Sequence, residues 1–113
     1  MMMWADYIRE LGLSTEFIEN EFGFIAYELK PEFLHIHEVY TRPEFRLSGH
    51  AIGLIEEAEA FARRAGLKFS VVSCAIITKT MPNNLRAALA VGFVPYLADG
   101  GVIWLRREIK GEA

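Results

Sequence analysis

The 113-residue chain has one cysteine, Cys74. No internal disulfide can form, and a reducing compartment is expected. There is no basic run. The formal net charge is −3, whereas a nucleic-acid-binding surface normally carries a basic excess or stripe, so that class is set aside. No apolar run approaches the roughly 20 residues of a membrane-spanning helix. Met1-Met2-Met3-Trp4 is apolar but short, without the basic start and long apolar stretch of a signal peptide. A cytoplasmic protein is therefore expected. Repeats, linkers and low-complexity stretches are also missing. Hydrophobic residues make up 52%, which excludes a disordered chain, and the length suits a single domain, 1–113, with its own core.

The periodicity predicts an α+β fold with a mixed sheet. Trp4, Tyr7, Ile8 and Leu11 recur at helical spacing up to Gly12. Phe17 to Asn20, Gly23 to Lys30 and Phe33 to Thr41 read as strands. A helix follows, with Ala51, Leu54, Ile55, Ala58, Phe61, Ala62 and Ala65 as its apolar stripe, Glu59 and Arg63 paired on its wetter face, and Gly66 as its stop. Lys68 to Ala75 is rich in β-branched residues and reads as a buried strand. Pro82 suits the first turn of a further helix, which Gly92 ends. Phe93 to Leu97 and Val102 to Arg107 are strands joined by Asp99-Gly100-Gly101, a hairpin turn. The expected order is α-β-β-β-α-β-α-β-β.

The informative stretch is Arg46-Leu47-Ser48-Gly49-His50-Ala51, where a strand and turn feed a helix. A helix start leaves about four backbone N–H groups without acceptors and carries the positive end of the dipole. A glycine there lets an anion approach the backbone, so the constellation predicts a phosphate cradle. Ser48 is an alternative helix cap.

Arg46-x-x-Gly49-x-Ala51, with its lead-in Val39-Tyr40-Thr41-Arg42-Pro43-Glu44-Phe45 and a later Gly92-Phe93, resembles the acyl-CoA motif of the GNAT N-acetyltransferases over roughly Phe17 to Arg107. The resemblance implies a twisted, splayed sheet of the acyl-CoA N-acyltransferase type, here lacking the usual first strand and helix, with acetyl-CoA as co-substrate and no metal. It implies that the main chain of Arg46, Leu47, Ser48, Gly49, His50 and Ala51 meets the pyrophosphate. The pantetheine arm would pair beside Glu38 to Tyr40, with Val39 or Tyr40 supplying an oxyanion donor and Thr41 at the end of that stretch. Asn83 or Asn84 corresponds to a cofactor-contacting asparagine or is simply polar at a helix start. The reduced N-terminus and its apolar cluster suggest that a second subunit, in a homodimer, completes the acceptor pocket.

For proton removal the candidates are His35 and His37, which alternation places with Val39 on one strand face, opposite Leu34, Ile36, Glu38 and Tyr40. Glu38 joins them only if a bulge intervenes. The His-x-His pair and its nine-residue spacing to Arg46 resemble the arylalkylamine branch of the family. The pair can also be filling a half-polar sheet face. The family often carries a Tyr four residues before Gly-Phe; here that position is Ala88, leaving water, Tyr40 or Tyr96 as proton donors to the thiolate. Zinc binding by His35, His37, His50 and Cys74 lacks a supporting motif, and Cys74 reads as an inert core thiol. The expected activity is transfer of acetyl to a primary amine, small-molecule or peptide. The alternative is a domain that binds acyl-CoA or a protein partner without turnover.

Overall fold

The computed structural model describes residues 15–46, 49–75 and 81–110. The expected helix at Trp4–Leu11 and its apolar cluster lie outside them. The described elements are β1 (Glu16–Glu19), β2 (Gly23–Leu29), β3 (Leu34–Thr41), a 3-10 turn (Pro43–Phe45), α1 (His50–Arg64), β4 (Phe69–Ala75), α2 (Met81–Ala90), β5 (Val94–Asp99) and β6 (Val102–Glu108). From β1 onward the order is the one read from the sequence.

The strands form a single sheet ordered β1-β2-β3-β4-β6-β5. All pairs are antiparallel except β3 with β4. A parallel pair needs a crossover connection, and α1 supplies it. Leu54, Ile55, Ala58 and Ala62 of α1 are buried with Ile25, Tyr27, Leu34 and Ile36 of β2 and β3. Burying a side chain the size of leucine or isoleucine stabilises by about 1.5–3 kcal/mol, so this stripe fixes α1 on the sheet. Both helices end in a left-handed glycine. Gly66 has φ 84° and Gly92 has φ 94°. The next residue's N–H then turns back into the helix: Leu67 donates to Ala62 O at 3.0 Å and Phe93 to Ala88 O at 3.0 Å. At the β5–β6 hairpin, Asp99 pairs with Val102, and Gly100 and Gly101 both take the positive φ that a two-residue turn requires.

Three details differ from expectation. Phe61 is 44% exposed, lying at the margin of the stripe with the Arg64 guanidinium over its ring, and Ala65 is exposed beyond the last turn. Glu59 is not on the wet face but 4% exposed. Its carboxylate accepts from Arg107 Nε and Nη2, each at 3.0 Å, and from Ser70 Oγ at 2.6 Å. A carboxylate can be this deep only when paired and hydrogen-bonded. Arg107 also donates through Nη1 to Val91 O at 2.6 Å, tying α1, β4, β6 and the end of α2 together.

Candidate functional site

Parallel pairing of β3 and β4 is confined to Leu34 with Ser70 and His35 with Val71. Beyond His35 the strands separate and a cleft of ≈ 380 Å³ opens. Its walls are His37, Glu38 and Val39 of β3 and Val72, Ser73 and Cys74 of β4. Ala51 and Ile55 of α1 border it on one side, and Ala87 and Ala88 of α2, with Val91 just past its end, on another. The small alanines leave the space open. Along this cleft the β4-facing edge of β3 has no strand partner among the described residues. An extended, amide-bearing molecule can hydrogen-bond there as an added strand would.

The start of α1 abuts the same cleft through Ala51. Gly49 is the N-cap residue, with φ 81° and no side-chain cap. The first helical bond is Gly53 N–H to Gly49 O at 3.3 Å. The amides of Gly49, His50, Ala51 and Ile52 therefore precede any intrahelical acceptor. A Cβ added at Gly49 would meet nothing within 4 Å. The positive φ, rather than crowding, is therefore what demands glycine. Arg46, expected to begin the row of unpaired amides, does not: its N–H donates to Pro43 O at 3.4 Å and its Nε to Thr41 O at 2.9 Å. Among the described residues the row of open amides thus begins at Gly49. Leu47 and Ser48 lie outside the described residues.

The strand carrying the histidines is bulged. Tyr27 pairs with Ile36 but Ala26 with Glu38, which leaves His37 as the extra residue of β3. This corrects the simple alternation. Ahead of the bulge, Leu34 and Ile36 face α1 and His35 faces away. After it, Val39 packs against the core, while Tyr40 turns to the far face and lies 5.7 Å from the Phe24 ring. Glu38 therefore shares the face of His35 and reaches the cleft mouth, where partial burial pushes its carboxyl above the usual range. His35 and His37 stay close, with ring centroids 4.4 Å apart.

Of the two histidines, only His37 borders the cleft. Its Nε2 lies 3.3 Å from Glu28 Oε1, and Glu28 also meets Lys30 Nζ at 3.1 Å. The hydrogen bond from Lys30, with help from His37, holds the Glu28 carboxyl below the usual range against a smaller effect of burial. The sequence reading missed Glu28. The hairpin register that sets it opposite His35 was the available signal, one strand away from the pair.

His35 sits behind, 5.8 Å from the Trp104 ring. Burial, then the charges of His37 and Lys30, hold its imidazole below the ordinary value, with Glu28 opposing. An unfolded chain therefore takes up this proton first as pH falls. The contribution of His35 is complete above the unfolded value of about 6.5 and is lost as pH drops through the lower folded value. Urea melts at about pH 7.5, 6.5 and 5.5 should show stability declining across that window, and His35→Gln should flatten the decline.

Other candidates separate clearly. Tyr40 and Tyr96 are 40% and 45% exposed and neither borders the cleft. Ala88 does border it, so the position of the missing tyrosine faces the reaction space. Cys74 is buried, and burial pushes its thiol up, which disfavours the nucleophilic thiolate. Asn83 and Asn84 fall in the first turn of α2, their side chains outside the described part. Among the described residues no group of three or more His, Cys, Asp or Glu could hold a metal ion, and no helix is long and apolar enough to cross a membrane.

The profile of the acetyltransferase (GNAT) family matches residues 9–93. No curated protein sequence matches the chain. Among solved structures, a GNAT-family protein from Desulfovibrio desulfuricans aligns over 97% of this chain and 83% of its own, with 20% identity and a TM-score of 0.73. A GNAT acetyltransferase from Elizabethkingia anophelis with acetyl-CoA bound aligns over 91% of this chain and 82% of its own, with 16% identity and a TM-score of 0.66. The PaiA N-acetyltransferase of Thermoplasma acidophilum, in complex with coenzyme A, covers 90% of this chain and 65% of its own at 16% identity and a TM-score of 0.68. Identities this low speak for the fold, and the family profile spans about three-quarters of the sequence: the chain belongs to the GNAT acetyltransferase family.

Proposed function

We propose that this protein transfers the acetyl group of acetyl-CoA to a primary amine by direct attack of the amine on the thioester. The observation that carries the reading is one continuous surface: open amides at Gly49–Ile52, an unpaired β3 edge, and a cleft between them. It suits the three parts of the donor, namely diphosphate, pantetheine amides and thioester. The relatives solved with coenzyme A or acetyl-CoA support the same choice of donor.

In this reading the amides of Gly49, His50 and Ala51 hold the diphosphate, with the helix dipole favouring the negative charge. The main chain at Val39, which lines the cleft, stabilises charge developing on the carbonyl oxygen. The amine nitrogen forms its bond to the carbonyl carbon as the carbon–sulfur bond breaks and the electron pair leaves on sulfur. His37 accepts the amine proton, oriented by Glu28 as a base is oriented by a third group. The departing thiolate needs no side-chain acid, since a free thiol has a pKa of about 8.5. Water in the space beside Ala88 supplies its proton. A second assignment of the base, to Glu38, is favoured by its raised carboxyl at the cleft mouth.

Thiol release from acetyl-CoA, followed against a panel of polyamines, arylalkylamines, amino sugars and peptide N-termini, tests the reading. Amine-dependent release is expected with at least one class. Coenzyme binding without release from any would leave a non-catalytic acyl-CoA-binding domain.

A further inference from the structure

We propose that Phe22, far from the motif in sequence, is the positioning residue of the donor cradle, an inference that rests on the donor site described above. Phe45 ends the 3-10 turn and His50 is the first residue of α1, next to the Gly49 cap. The Phe22 ring touches both residues. It lies edge-on to Phe45 at 4.9 Å and 85°, and it stacks on His50 at 3.7 Å and 11°. Phe45 and His50 are themselves edge-to-face at 5.8 Å. One side chain therefore bridges the end of the 3-10 turn and the start of α1.

Phe22 is in turn held from below. Asn20 Oδ1 accepts the N–H of Phe22 at 2.8 Å and of Gly23 at 3.1 Å, closing the β1–β2 turn with the Asn20 N–H to Gly23 O bond at 3.0 Å. The carbonyl of Phe22 accepts the Arg42 N–H at 2.8 Å, where the chain leaves β3 for the 3-10 turn. Gly23 lets the turn press against β3: a Cβ there would stand 1.8 Å from Tyr40 O, closer than real atoms approach. The turn is thus bonded to the strand, and its aromatic ring sets the separation of Phe45 and His50, fixing the start of α1. Without the ring, the Gly49–Ala51 amides lose the anchor that holds them convergent before the anion arrives. Preorganisation of this kind appears in affinity rather than in the rate of the bound complex.

The test is calorimetric titration of coenzyme A into the wild type, Phe22→Leu and Phe22→Tyr, with far-UV circular dichroism and melting to check folding. Phe22→Leu keeps an apolar residue but loses the stack. It should bind coenzyme A about tenfold more weakly, a factor equal to ~1.4 kcal/mol and within reach of a stacked aromatic contact. KM for acetyl-CoA should rise by a similar factor with kcat unchanged, and Phe22→Tyr should bind within about twofold of wild type. Wild-type affinity in Phe22→Leu would overturn the role of Phe22 and leave the donor site standing. Absence of binding by the wild type would overturn the donor site and this inference with it. Failure of both variants to fold would make the ring a folding element and would also overturn the inference.

Discussion

Arg107→Met is expected to lower the free energy of unfolding by about 3–5 kcal/mol, the usual result of removing one partner from a buried ion pair. The side chains of Arg107 and Glu59 are 13% and 5% exposed. With Arg107 gone, the Glu59 carboxylate keeps, among the described residues, the Ser70 hydroxyl alone, and the Val91 carbonyl just past α2 loses the Arg107 donor. Most of the penalty is the uncompensated charge rather than the lost attraction. Removing both charges, in a Glu59→Met, Arg107→Met double variant, should therefore recover most of it. Urea denaturation of the three variants measures the coupling. A loss below about 1 kcal/mol in Arg107→Met, typical of an exposed pair, would show that the pair is solvated in solution.

His37→Ala is expected to lower kcat by about 10²–10⁴, the range of a lost general base, with KM for acetyl-CoA unchanged, since the proposed donor contacts are main-chain ones. Glu28→Gln should lower kcat less, since it leaves the imidazole in place and removes only its orienting carboxylate. Glu38→Gln separates the two assignments. If His37 is the base, this variant should remain within a few-fold of wild type. If Glu38 is the base, Glu38→Gln takes the large loss and His37→Ala does not. The placement of His37 makes the experiment sharp, because the bulge at this residue brings it and Glu38 to the cleft side by side.

Much of the architecture was legible because local chemistry and tertiary structure agree. Glycines at 66, 92, 100 and 101 fall where positive φ is required, and the stripe Leu54, Ile55, Ala58, Ala62 is the buried one. The glycine-led helix start on which the proposed donor site rests was legible for the same reason, since Gly49 ahead of α1 is a local feature.

The bulge was not legible. A single extra residue leaves no mark in the alternation of His35 to Tyr40, yet it moves Glu38 to the other face. Glu59 could have been read. It lies four residues after Ile55 and three before Ala62, on the apolar stripe itself, and a charge in such a place asks for a partner. A four-apart pairing with Arg63 is a weak surface interaction, and helix geometry outweighs it. Phe22 was illegible for a different reason. Its contacts with Phe45 and His50 exist only once β1–β2 and the end of β3 are folded together, and nothing local marks a phenylalanine in a turn as a brace.

The central claim is that main-chain amides at the start of α1 grip the coenzyme's diphosphate. Amide chemical shifts of 15N-labelled protein, recorded during titration with coenzyme A, test it directly. The largest saturable shifts should fall on Gly49, His50 and Ala51, with smaller ones along Val39 and Tyr40. Saturation with those five amides unmoved, or no saturable shift at all, would contradict the account.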